Sequence, residues 1–165
     1  MEFSNHDDFF FMNYAIRLAL RHVGLTGENP SVGCVLVSDR RIISYGITGI
    51  GGSPHAEFEA LSKLKKIPKD TIAYVSLEPC SHVGKNPACA SLLAMSGIAK
   101  VVIATKDPNP AINGNGIEIL KNAGIKTKLG ICEDLAKDSI YGFSQRVNGL
   151  HPEVNIKVAS YSDGI

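Results

Sequence analysis

Between Asp7 and Val23 the apolar residues Phe10, Tyr14, Ile16, Leu18, Ala19 and Leu20 return at roughly helical intervals. Arg17 and Arg21 lie four apart on the polar side, and Gly24 supplies a stop signal. An amphipathic first helix is predicted, with the cluster Phe9-Phe10-Phe11 serving packing. The pattern then changes to short continuous runs. Val32-Gly33-Cys34-Val35-Leu36-Val37 predicts a buried strand, Asp39-Arg40-Arg41 a turn, and Ile42-Ile43-Ser44-Tyr45-Gly46 the returning strand of a hairpin. Gly46 to Pro54 holds four glycines, which predicts a loop able to approach a ligand closely.

A second helical pattern runs from His55 to about Lys66, with Ala56, Phe58, Ala60, Leu61 and Leu64 on its buried side and Pro68 beyond its end. Thr71 to Leu77 reads as a strand closed by Pro79, residues 87 to 97 as a helix opened by a proline and stopped by Gly97, and Val101 to Ala104 as the next strand. Asp107-Pro108-Asn109-Pro110 cannot continue a strand and must form a loop at its carboxyl end. A helix over Gly116 to Ala123 capped by Gly124, a strand over Ile125 to Leu129, and a last helix from Glu133 to about Gln145 complete the series. Strands alternating with helices imply a three-layer α-β-α domain around a mixed, mostly parallel central sheet. Ligands in such sheets bind beyond the carboxyl ends of the strands. No repeat, linker or low-complexity segment interrupts the chain before residue 149.

Composition narrows the functional classes. A chain of 165 residues fits one domain, and a formal net charge of +1 with no run of Lys or Arg gives no attraction for a polyanion. The expected partner is a small molecule rather than nucleic acid. No segment is apolar for the length of a bilayer crossing, so no membrane role is expected. The acidic start, Met1 to Asp8, lacks the positive region of a secretory leader, which makes a cytoplasmic address the default. Four cysteines in that setting read as metal ligands or buried thiols before disulfides, and Cys34 and Cys132 fall in apolar surroundings.

The remaining two cysteines carry the chemistry. Pro54-His55-Ala56-Glu57 precedes a helix, and Glu78-Pro79-Cys80 and Ala88-Cys89 follow a strand and open a helix. His-x-Glu with a later Pro-Cys and second Cys is the pattern of a zinc-dependent nucleobase deaminase. His55, Cys80 and Cys89 supply three ligands, the number a catalytic zinc uses when it keeps one open position. Glu57 is placed as the acid/base, moving a proton from water to the substrate and then to the departing amine. A histidine before a helix often only caps it, and a lone glutamate there often only complements the dipole. The three ligands and the glutamate together, each at the mouth of the fitting element, favour one zinc per chain. Glu59 reads as a solvated helix residue, and Glu78 as a group that holds the cysteine loop by hydrogen bonds.

Asn29-Pro30-Ser31-Val32-Gly33-Cys34, Pro54-His55-Ala56-Glu57, Leu77-Glu78-Pro79-Cys80-Ser81-His82, Gly84-Lys85-Asn86-Pro87-Ala88-Cys89 and Asp107-Pro108-Asn109-Pro110 closely resemble the deaminase domain of the bifunctional riboflavin-biosynthesis deaminase/reductase. The match spans about residues 12 to 148, and the insert between Cys80 and Cys89 separates it from deaminases that use Pro-Cys-x-x-Cys. The resemblance implies a cytidine-deaminase-like fold and hydrolytic deamination of 2,5-diamino-6-(5-phosphoribosylamino)pyrimidin-4-one to the corresponding aminouracil, with cytoplasmic location and a homo-oligomer. The family's substrate-binding positions carry over to Asn29, His82, Lys85, Asp107 and Asn109; Lys85 and His82 can hold a phosphate or ring carbonyl.

Two departures stand out. Many members place a histidine seven residues before the zinc histidine, where this chain has Thr48. Residues 149–165, including His151 to Gly164, look like the start of the family's reductase domain or a tail beyond a deaminase domain of residues 1–148. Neither NADPH binding nor reductase activity is then expected, reduction would fall to a separate protein, and Asn155 to Ile165 would be poorly anchored. Two other readings stay open: deamination of another nucleobase, nucleoside or tRNA base, and a non-catalytic zinc-binding remnant.

Overall fold

The structure is a computed structural model, and it describes residues 4–82, 87–110, 112–151, 154 and 156–159. Helix α1 spans Asn5–Leu20 and opens on a capping box, in which Ser4 and Asp7 satisfy each other's backbone N–H groups. Strands β1 (Gly33–Ser38) and β2 (Arg41–Ile47) form the expected hairpin, turned by Asp39 and Arg40 at positive φ. Then come α2 (Ala56–Ser62), β3 (Ile72–Leu77), α3 (Cys89–Met95), β4 (Lys100–Thr105), α4 (Asn115–Asn122), β5 (Lys126–Leu129), α5 (Glu133–Ser139) and α6 (Tyr141–Val147).

The five strands lie in the order β2-β1-β3-β4-β5. β1 pairs antiparallel with β2 and β3, while β3–β4 and β4–β5 are parallel. Four strands therefore run one way and β1 runs against them, which is the mixed, mostly parallel sheet the alternation implied. β1 and β3 are buried along their whole length because both faces are covered. On one face Val35, Val37, Tyr74 and Val102 meet Phe11, Met12, Ala15 and Ile16 of α1 and Ala136 of α5. On the other, Cys34, Leu36, Val75 and Ile103 meet Ala56, Ala60, Leu93 and Leu120 of α2, α3 and α4. Cys34 is fully buried and Cys132 half-buried.

Helix α1 is fastened to the sheet by a buried charge. Asp8 takes the Tyr74 hydroxyl at 2.8 Å and Lys128 Nζ at 2.7 Å, with Lys100 Nζ at 3.6 Å. Among the described residues no helix is long and apolar enough to cross a membrane.

Several expectations need correction. Phe9 and Phe10 are exposed, and of the three phenylalanines only Phe11 is core; Tyr14 and Leu20 are also exposed, because the buried stripe of α1 runs through Met12, Ala15 and Ala19. Helix α2 ends at Ser62, well before Pro68, and Phe58 faces out. The last helix is two helices, broken at Ile140, whose φ of −112° leaves the helical region while its side chain enters the core. Val154, Ile156, Lys157, Val158 and Ala159 are exposed and lie in neither helix nor strand, while residues 152, 153, 155 and 160–165 lie outside the described residues.

Candidate active site

His55 follows β2, Cys80 follows β3 and Asp107 follows β4, so three parallel strands deliver their next functional residue to one end of the sheet. His55 is the N-cap of α2 in extended conformation, with Glu57 in the first turn. The approach is close: a Cβ on Gly46 of β2 would sit 2.0 Å from the Ala56 carbonyl oxygen, so only glycine lets β2 lie against the start of α2. Cys89 is the first residue of α3, two positions later than the expected helix start, and its N–H points at Cys80 Sγ at 3.3 Å.

His55 Nδ1 lies 3.6 Å from Cys80 Sγ and 3.4 Å from Cys89 Sγ, and all the donor atoms fall within 4.8 Å of one another. Around a tetrahedral zinc, with Zn–N about 2.0–2.1 Å and Zn–S about 2.3 Å, nitrogen and sulfur stand about 3.5 Å apart. The donor set fits zinc in chemistry and in spacing. The hydrogen bond from Cys89 holds the Cys80 thiol well below the usual thiol range, while that same shared hydrogen and burial hold Cys89 up. The hydrogen bond to Cys80 raises His55. A dication would displace these protons and be held by the thiolates it exposes.

Glu57 is buried beside this group. Burial pushes its carboxyl up to about 7, and a bound dication would draw it down again. A cavity of about 290 Å³ opens onto His55, Glu57 and Cys80, and Asn29, His82, Asp107 and Asn109 also line it. The site residues predicted from sequence are thus brought to one place, apart from Lys85, which lies outside the described residues. A second hollow of about 300 Å³, lined by Cys89, Phe58 and Gly52, meets the first at Asn29, His55, Cys80 and His82.

The polar walls are set by other residues. Asn29 Nδ2 donates to Gly52 O at 3.3 Å. Burial raises the Asp107 carboxyl, whose Oδ1 accepts the Asn109 N–H at 2.8 Å. Among the described residues Glu78 does not hold the cysteine loop as expected. Its two oxygens accept the N–H groups of Asp107, Gly114, Gly116 and Ile117, tying the end of β3 to the Asp107 loop and the start of α4. At that junction a Cβ on Gly116 would meet the Pro79 carbonyl oxygen at 2.0 Å. Glu59 is also not merely solvated, since it accepts the Ile47 N–H at 2.6 Å and pairs with Lys63 at 2.8 Å. Thr48, at the departing position, accepts the Val32 N–H at 2.9 Å through Oγ1, and its carbonyl meets His22 Nδ1 at 2.7 Å.

Sequence reading missed α6. Phe143, Arg146 and Val147 form one wall of the cavity, because the break at Ile140 turns the helix over the mouth. Arg146 donates to the Glu28 carbonyl across 118 positions of sequence and lies over the Phe143 ring. No local motif announces such a contact.

Residues 5–105 match the cytidine and deoxycytidylate deaminase zinc-binding region. The chain is 43% identical over 146 residues to the diaminohydroxyphosphoribosylamino-pyrimidine deaminase of Buchnera aphidicola subsp. Acyrthosiphon pisum, covering 88% of this chain and 99% of that protein. It is 40% identical to the riboflavin biosynthesis protein RibD of Aquifex aeolicus over 93% of this chain but only 43% of that one. The solved structure of Acinetobacter baumannii RibD, form 1, superposes with a TM-score of 0.83 at 44% identity, covering 87% of this chain and 40% of that one. The chain thus spans about two fifths of the length of these RibD proteins.

Proposed function

Because this chain belongs to the cytidine and deoxycytidylate deaminase zinc-binding family, we propose that it hydrolytically deaminates a diaminopyrimidinone bearing a phosphoribosylamine, 2,5-diamino-6-(5-phosphoribosylamino)pyrimidin-4-one. Water replaces the ring 2-amino group, ammonia leaves, and the aminouracil remains. The observation that carries this reading is the grouping of His55, Cys80 and Cys89 beside a cavity lined by His55, Cys80 and buried Glu57. Similarity to a pyrimidine deaminase of nearly the same extent supports the choice of substrate.

In this mechanism His55, Cys80 and Cys89 hold one zinc. When bound, zinc lowers the pKa of a water towards neutrality and so supplies the nucleophile. Glu57 accepts the proton of the attacking water and delivers it to the ring nitrogen, then carries a second to the departing amine. A carboxyl buried beside the reacting atoms exchanges that proton without competition from bulk solvent. Asn29, Asp107, Asn109 and His82 orient the ring through amide, carboxylate and imidazole contacts, and Lys85 joins them as a charged partner. Asp107 and Asn109 are held for this by the Glu78 network.

The test is ammonia release by zinc-loaded protein from the phosphoribosylamino-pyrimidinone, measured beside cytidine, guanine and tRNA. We expect turnover of the first with one zinc per chain. Preference for any of the other three overturns the substrate assignment, and one bound zinc with no turnover of any aminopyrimidine overturns the enzyme.

A further inference from the structure

Resting on the deaminase reading above, we propose that Arg146 of α6 binds the phosphate of the substrate and sets the preference for phosphorylated over unphosphorylated pyrimidine. The cavity that holds Glu57 is lined by four carboxylates, Glu28, Glu57, Glu78 and Asp107. Among its described lining residues Arg146 is the one side chain with a permanent positive charge. A phosphate dianion entering such a mouth is favoured by a cation at its rim, and Arg146 supplies one in addition to the charged partner already assigned to Lys85.

Its posture fits the task. The Glu28 carbonyl accepts one N–H from Nη2, and the Phe143 ring lies 5.6 Å from the guanidinium carbon. Both contacts fix the plane of the group at the rim. A guanidinium carries five N–H donors in a fixed fork, so one bond to Glu28 leaves enough for two parallel bonds to phosphate oxygens. No acceptor for the other four is recorded among the described residues. The side chain is exposed and its helix buries no residue, so packing does not account for its position. Pairing a surface guanidinium with a carbonyl and a ring, rather than with a carboxylate, keeps its charge available for a ligand.

The measurement uses zinc-loaded wild type, Arg146→Gln and Arg146→Lys, with ribose 5-phosphate binding followed by calorimetry and turnover followed by ammonia release. A charge-assisted contact to phosphate predicts about 10- to 100-fold weaker ribose 5-phosphate binding in Arg146→Gln. Arg146→Lys should recover part of it, because charge survives and the fork does not. KM for the phosphorylated substrate should rise by the same factor with kcat little changed, while kcat/KM for the 5′-hydroxyl analogue stays constant. Equal ribose 5-phosphate binding by wild type and Arg146→Gln overturns the inference, as does an equal change for both substrate forms. Absence of turnover in the wild type refutes the deaminase reading instead, and the binding comparison still decides Arg146.

Discussion

Glu57, in the first turn of α2, is 4% exposed, and Glu78, at the end of β3, is 3% exposed. Both lie two residues from a member of the His55–Cys80–Cys89 group, His55 in one case and Cys80 in the other. Their partners differ in kind. Glu78 meets four backbone N–H groups, which neither give up nor take protons at any relevant pH, so its side chain serves as an anchor for the backbone around it. Glu57 faces the His55 imidazole and the thiols of Cys80 and Cys89, side chains that can themselves gain or lose protons. Burial alone therefore does not mark a reactive carboxylate; the chemistry of what it touches does.

Substitutions to glutamine should pull the two apart. Glu57→Gln is expected to lower kcat by about 10²- to 10⁴-fold, the range for loss of a positioned acid/base. Zinc content should be retained, and stability retained or raised, because a neutral amide is easier to bury than a carboxylate; turnover near the wild-type rate would remove Glu57 from the mechanism. Glu78→Gln should instead lower stability by about 1–3 kcal/mol, since the new amide NH₂ must confront N–H donors that then go unpaired. Urea unfolding reads that loss, and an unchanged midpoint would mean the four bonds do not hold the loop. Glu59 provides a smaller third case. It holds a backbone N–H as Glu78 does, but with its side chain a third exposed. Glu59→Ala should lower stability by about 0.5–1.5 kcal/mol with kcat little changed, and a large loss of turnover would show that the β2–α2 tie also sets His55.

The same division explains what could be read from the chain. The grouping of His55, Glu57, Cys80 and Cys89 was legible because a His-x-Glu and a Pro-Cys at the ends of elements form a recognisable pattern, and hydrophobic periodicity locates those ends. The strand runs were equally clear, since β1 and β3 are covered on both faces and therefore continuous in sequence. The partners of Glu78 were not, because they lie 29 to 39 residues away and depend on how α4 docks. Nor was the wall from α6. Periodicity alone extends one helix through Ile140, and only the pull of that side chain into the core breaks it. Phe9 and Phe10 misled for a related reason: three adjacent phenylalanines cannot share one face of a helix, and neighbouring Met12 and Ala15 decide which one turns inward.

The fastening of α1 bears on the order in which the molecule is assembled. Synthesis delivers this helix ahead of the sheet it packs on, yet Asp8 has no Lys128 to meet until 120 further residues have been made. Docked before β4 and β5 are in place, its carboxylate would be enclosed without either Lys100 or Lys128, a state costing several kcal/mol. The last of its partners arrives with the edge strand, so the pairing that seats this helix is complete only once β5 has joined the sheet.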